Sequence, residues 1–230
     1  MKRLLIILPV ILILISCNKN TVLLPETSTK EITEILDVSP IYIFYDETKP
    51  DSIDFNRKNM ISTTNWLVNI DKRLTLKQIL PHLQYFQEKR SKEGMHKNEN
   101  AKNYFTCFNP EIQNLAFIEF TDVKFIADTL FLFTQPKLAI NPEGIPKIFE
   151  GMKTVNFIKD LSFYFDKKHY AFKSLSSFID NLSKTHPSSK SIALKFHESL
   201  SFQDYIEIKT QIFTMKSASI IISNIEFIYY

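Results

Sequence analysis

Ser191-Ile192-Ala193-Leu194-Lys195-Phe196, running on through His197-Glu198-Ser199 to Leu200-Ser201-Phe202-Gln203-Asp204-Tyr205, reads as a strand that turns directly into a helix. The first six residues are a short apolar run of strand length. Ser201 and Asp204 then have capping-box spacing, in which the hydroxyl takes a helical amide and the acid reaches back to the cap's own N–H. Leu200 and Tyr205 stand where a hydrophobic staple fixes the entry angle of the chain. Tyr205, Ile208, Ile212 and Met215 continue as one apolar helix stripe. Upstream, Leu175, Phe178, Ile179 and Leu182 predict a second amphipathic helix with Ser174 as its cap, and Pro187-Ser188-Ser189 separates it from the strand. Before that, Leu161 to Asp166 alternates like a strand, Lys167-Lys168 makes a turn, and His169 to Phe172 returns. Ser219 to Ile222 and Ile225 to Tyr230 close the chain with β-prone residues. The predicted order is β-β-α-β-α-β.

The other half begins in the same way. Ile41 to Glu47 matches the Leu161 to Lys167 pattern, a polar hairpin through Pro50 and Asp51 follows, and Asn65 to Ile70 reads as a second strand. Thr75-Leu76-Lys77-Gln78 is another capping box. Leu76, Ile79, Leu80 and Leu83 repeat the helical stripe, with Pro81 expected to kink the helix or reset its start. After a charged loop from Ser91 to Asn103, Leu115 to Phe120, Val123 to Ile126 and Leu130 to Phe133 are expected as short aromatic strands. This half is a degenerate copy, and the fold class is α+β with two small mixed sheet-and-helix modules. They span residues 34–135 and 154–230, joined by a Pro- and Gly-marked linker over 136–153.

Composition narrows the function. The 230 residues are 44% hydrophobic and 23% charged, and 28 Lys and Arg nearly balance 25 Asp and Glu. That composition excludes wholesale disorder and a polytopic membrane protein, and the charge balance gives no footprint for nucleic acid. Only 3 Gly accompany 20 Phe and 9 Tyr, which leaves little material for glycine-built phosphate loops.

At the N-terminus, Lys2 and Arg3 precede an apolar run from Leu4 to Ile15, too short to cross a bilayer in helix. It ends in Leu14-Ile15-Ser16-Cys17, which resembles the lipobox of bacterial lipoproteins. The resemblance implies removal of residues 1–16, acylation of Cys17, and stable anchoring through more than one lipid chain. Residues 17–33 are then a polar tether. Asn18 in place of Asp after the cysteine favours the outer membrane, facing the periplasm. With Cys17 lipidated, Cys107 is the remaining thiol, expected to be buried among Tyr104, Phe105 and Phe108.

The element order from about Asn156 to Ile222 resembles the periplasmic domain of the ExbD/TolR family, a hairpin ending near an Asp, then helix, strand, helix and strand. Asp166 and the elements above fill those places. His197-Glu198 stands where the family carries Ala-Asp, Ser217-Ala218 where it carries Gly, and the family's transmembrane Asp has no counterpart. The resemblance therefore implies a domain that dimerises through a sheet edge or binds envelope partners, without motor function.

No Walker loop, nucleophile elbow, His-Glu-x-x-His or Cys-x-x-Cys occurs. His96 and Glu99 share a solvated charged loop. The acids Asp46, Glu47, Asp51 and Asp54, and the pair His197-Glu198, are the features an enzyme reading would rest on; neither has the spacing of a metal site, and no metal or cofactor is expected. The aromatic residues carry the other signal. Phe117, Phe125 and Phe131, with Phe227 and Tyr229 of the last strand, are the candidate partner-binding residues, as an exposed aromatic face or an unprotected strand edge. The expected function is a non-catalytic, membrane-anchored binding or scaffolding module, its partner an envelope protein or a second copy. A carrier of lipid or another hydrophobic ligand is the alternative drawn from the aromatic count.

Overall fold

The computed structural model describes residues 21–91, 98–128, 153–185, 191–214 and 221–230. In chain order they form β1 (Val38–Tyr45), β2 (Ile53–Asn56), β3 (Asn65–Ile70), α1 (Leu76–Ser91), β4 (Asn103–Asn109), β5 (Asn114–Glu119) and β6 (Lys124–Asp128). There follow β7 (Lys153–Phe157), β8 (Phe163–Phe165), β9 (Lys168–Tyr170), α2 (Leu175–Thr185), β10 (Ser191–His197), α3 (Phe202–Thr214) and β11 (Ile221–Tyr229). The fold is α+β with two sheets, ordered β2-β1-β3-β4-β5 and β6-β11-β10-β7-β8-β9. In the first, β1, β3 and β4 run parallel; in the second, β7, β10, β11 and β6 do.

Local sequence explains most elements. In β1 the alternation puts Ser39, Ile41 and Ile43 inside, and in α1 the stripe Leu76, Ile79, Leu80, Leu83 and Phe86 is buried. That helix begins at Leu76 and carries Pro81 within it, so the proline does not reset its start. Ser174 does not cap α2: its hydroxyl donates to the Ala171 carbonyl inside a 3-10 turn that leads into the helix. One continuous hydrophobic cluster joins both sheets, and Phe105 of β4 packs on both Phe202 and Tyr205 of α3.

Four elements depart from the sequence reading. Tyr104, Phe105 and Phe108 belong to β4, whose residues are nearly all buried, so no alternation marks it as a strand. Lys124–Asp128, expected in the N-terminal module, pairs in parallel with β11 and so completes the second sheet. β7 lies at the end of the expected linker, and β8 is short because Leu161 holds φ 65°, a loop conformation. Leu130 to Phe133 falls outside the described residues.

The two halves meet about a local two-fold relation. Thr75 and Ser201, the two helix caps, pair as an antiparallel bridge. The Leu76 N–H donates to the Leu200 carbonyl at 2.8 Å, and its counterpart, the Phe202 N–H, donates to Leu74 at 2.7 Å. Lys77 N–H to Glu198 (2.9 Å) is likewise matched by Gln203 N–H to Lys72 (3.2 Å). The first amides of a helix have no partner within it; here each helix start is satisfied by the strand-to-helix junction of the other half. Both capping boxes form, Gln78 with Thr75 and Asp204 with Ser201. Buried α1 positions 76, 79, 80, 83 and 86 correspond in order to buried α3 positions 202, 205, 206, 209 and 212.

Residues 23–32, read from sequence as part of a free tether, lie extended across the body as a strap. Pro25 and Thr27 exchange hydrogen bonds with Phe108 of β4, and the Phe117 N–H of β5 donates to the Ile32 carbonyl. The strap docks there because β3 pairs with β4 over only Trp66 to Val68, leaving the Phe108 end of β4 open.

Candidate functional site

The expected aromatic face is folded inward. Phe117, Phe125 and Tyr229 are 6%, 3% and 5% exposed. Tyr229 donates its hydroxyl to the Phe157 carbonyl at 2.9 Å, and burial, reinforced by nearby Tyr164, pushes that phenol up to about 12. Phe227 is half-buried beneath the Lys195 ammonium, which pairs with Asp128 at 2.6 Å. β11 lies between β10 and β6 and is paired on both sides from Glu226 to Tyr229, so the stretch that carries Phe227 and Tyr229 offers no free edge. Phe131 and Cys17 lie outside the described residues. At the edge strand β6, Gln87 accepts from the Phe125 N–H and donates to the Val123 carbonyl, while Gln84 donates to the Phe125 carbonyl. Two amide side chains thus stand in for a neighbouring strand.

The other candidates are also dispersed. Asp46 turns onto Thr48, Asp51 accepts from the Ile53 amide, and Asp54 pairs with Lys49. The His197 ring hydrogen-bonds Ser199, whereas Glu198 turns to Lys77 at 3.1 Å; the two share no target. Among the described residues no group of three or more His, Cys, Asp or Glu is placed to hold a metal, and no helix is long and apolar enough to cross a membrane. His96 is outside them. Cys107 is fully buried, and burial raises its thiol well above the ordinary range.

Two arrangements were not anticipated. In the first, Tyr205 donates to Glu226 Oε2 at 2.8 Å and Lys209 donates to Glu226 Oε1, all three residues being buried. Burial and the adjacent carboxylate hold the Tyr205 phenol well above its usual range, so it remains a donor. A cleft of about 400 Å³ reaches Lys209 and Glu226, with Phe213, Ser223 and Asn224 in its walls. The corresponding residues of the other half are apolar. Ile79 and Leu83 answer to Tyr205 and Lys209, and Phe105, paired with Val68 as Glu226 is with Leu194, answers to Glu226. The signal available in the sequence was a Lys on the inner stripe of one helix and a Glu inside an apolar strand.

The second is the bed of the strap. The fully buried Asp71 accepts from the Leu23 N–H at 3.1 Å and from Arg73 through Nε and Nη2, both at 2.9 Å. Burial alone would raise that carboxyl. The Arg73 guanidinium and the amides of Leu23 and Arg73 outweigh it and hold the group below its ordinary value. Gln203 grips Glu26 at both backbone groups, accepting from its N–H at 2.7 Å and donating to its carbonyl at 3.1 Å. Asn109 donates to the Thr29 carbonyl at 2.8 Å. These contacts hold an extended backbone across β4, β5 and α3, the two halves together. No protein-family model, no curated protein and no solved structure matches this chain.

Proposed function

We propose that this chain is a lipid-anchored protein of the bacterial envelope, facing the periplasm from the outer membrane, that acts as a non-catalytic binding or scaffolding module. The observation that carries the reading is the distance along the chain between the lipobox cysteine and the docked strap. Leu23 is hydrogen-bonded to the body, so at most the five residues 18–22 serve as linker between Cys17 and the docked strap. At ~3.4 Å per extended residue that linker reaches roughly 17 Å. An acylated Cys17 would therefore hold the body against the membrane surface, within reach of membrane-bound or membrane-proximal partners.

Two measurements test this. Metabolic labelling with a clickable palmitate analogue should mark the wild-type chain and not Cys17→Ser. Cross-linking in the cells of origin, followed by capture of the anchored chain, should recover a defined envelope protein at near-stoichiometric yield. Unlabelled wild type, or recovery of the monomer alone, overturns the proposal.

A further inference from the structure

We infer that the bed of the strap is a recognition groove for an extended peptide segment, and that residues 23–32 of this chain are its built-in, displaceable occupant. The inference rests on the binding-module reading and specifies how such a module would hold its partner.

The contacts themselves show what the groove reads. Leu23 is bonded at both its N–H and its carbonyl, Pro25 at its carbonyl, Glu26 at both groups, and Thr27 at its N–H. Thr29 and Ile32 are bonded at their carbonyls. Recognition is thus of an extended main chain, the mode in which a peptide adds to an open strand edge. Pro25 and Thr27 are buried, and the Thr27 hydroxyl meets that of Thr210 at 2.7 Å. Glu26 and Ser28 are exposed, the Glu26 carboxylate pairs with Lys72 at 3.0 Å and Lys30 with Glu111 at 2.7 Å, and Leu23 is 43% exposed.

The place where the strap lies is an opening in the architecture. In the other half, β10 pairs with β11 through His197–Tyr229, and the Glu198 N–H then takes the Tyr229 carbonyl. β3 stops pairing with β4 at Val68–Phe105, and a segment from outside the sheet fills the remaining edge. So little side-chain burial leaves the strap in the class of segments that open locally, well below the cost of global unfolding.

The strap pairs no cation with Glu207, one of the acids of its own groove. A cleft of about 340 Å³ runs beside Thr27 between the strap and α3, lined by Glu111 and Glu207 of the body and by the strap's own Glu26; Lys72 pairs with Glu26, and the strap's Lys30 pairs with Glu111. Burial and the neighbouring Asp204 raise the Glu207 carboxyl. A segment with Thr or Ser in the Thr27 position, a counterpart of Lys30 and a further basic residue beside the hydroxyl would keep the main-chain bonds and place an added cation against Glu207. The partner chemistry is therefore an extended, basic, hydroxyl-bearing peptide.

The test uses the mature chain from residue 17 with Cys17→Ala, and fluorescein-labelled peptides of the sequence Val22–Ile32, with and without Ser28→Lys. Thr27→Pro removes both the N–H and the hydroxyl of the strap and should free the groove, tightening peptide binding about tenfold or more over the unaltered chain. The Ser28→Lys peptide should bind more tightly than the parent sequence, and adding Gln203→Ala should abolish binding of both. In the unaltered chain, hydrogen exchange at Leu23, Glu26 and Thr27 should be about 100-fold or more faster than at Phe105 and Cys107. A folded Thr27→Pro chain that binds neither peptide, or strap amides protected as strongly as those of β4, overturns the inference. The exchange result stands even if Thr27→Pro does not fold. Because both readouts use purified protein, their failure would leave the capture result, and the module reading behind it, untouched.

Discussion

Replacing Lys209 with Met should destabilise the chain severely, whereas replacing the whole Tyr205–Lys209–Glu226 cluster should not. Lys209 is 6% exposed and Glu226 is 0% exposed, so water screens neither charge appreciably. Removing one partner of a buried ion pair leaves the other charge uncompensated and costs about 3–5 kcal/mol. Tyr205 would still donate to the Glu226 carboxylate, which places Lys209→Met at the lower end, about 3 kcal/mol. With a urea m-value of about 2 kcal/mol/M, the midpoint should fall by about 1.5 M with no change in slope. The triple variant Tyr205→Phe, Lys209→Met, Glu226→Met removes every polar member together. Apolar replacement of a complete buried pair is neutral or stabilising by about 1–4 kcal/mol. The molecule already shows that its fold accepts this, because Ile79, Leu83 and Phe105 occupy the corresponding places. Urea denaturation followed by tryptophan fluorescence reads both variants, Trp66 being fully buried. A Lys209→Met chain within about 1 kcal/mol of wild type, or a triple variant less stable than that single one, refutes the reasoning.

Three further outcomes are expected. A carboxyl whose folded value is depressed stabilises above its unfolded value, near 4, and loses that stability as pH falls through the folded value. Asp71→Asn should therefore flatten the acid side of the stability profile below about pH 4 and cost about 1–3 kcal/mol at neutral pH; an unchanged acid slope in thermal melts from pH 2.5 to 7 would show that Asp71 is not responsible. Asp166 and Lys167 form the β8–β9 turn with φ of 47° and 66°, so Lys167→Gly should relieve the left-handed strain. A gain of about 0.5–1 kcal/mol, or about 1–4 °C in Tm, is expected, and a lowered Tm would count against it. In the Cys17→Ala chain, Cys107 should resist maleimide in native buffer and react fully in guanidinium chloride; rapid native labelling would contradict its burial.

What the sequence made legible, and what it did not, follows from how far each signal reaches. Capping boxes and helix stripes act within a few residues, and Thr75–Gln78 and Ser201–Asp204 form as their spacing requires. β4 was hidden because a strand buried on both faces has no alternation to show. β6 could be recognised as a strand, but nothing local says that it pairs with β11, about a hundred residues away in the chain. The aromatic residues misled for a related reason. Their density marks a large core as readily as a binding face, and only the packing of two sheets against shared helices decides between them. The strap was hidden for the opposite reason: its own side chains are mostly polar, and what holds it is main chain, to which sequence patterns are blind. Scarce glycine also left its mark. Asp37, Ser52, Gln113, Leu161, Asp166 and Lys167 take positive φ where a turn calls for Gly, so turn positions carry no glycine signal to read.

The two-fold relation between the halves bears on which partner to seek. Sequence resemblance raised a second copy of the chain as one candidate. Yet the contact that most resembles a symmetric dimer interface lies within a single chain. Thr75 meets Ser201, and each helix start takes its missing acceptors from the other half in matched pairs. A second copy could use that seam only by breaking four backbone hydrogen bonds and the shared core around Phe105, Phe202 and Tyr205. The halves differ elsewhere: one carries the strap beside β4, the other the Tyr205–Lys209–Glu226 cluster. That difference gives the molecule two unlike faces, which suits a partner that is not a copy of itself. Cross-linking should therefore return heterologous products in the cells of origin, while the purified chain sediments as a monomer at micromolar concentration. A stable symmetric dimer would show that the internal seam does not exhaust the chain's capacity to pair with itself.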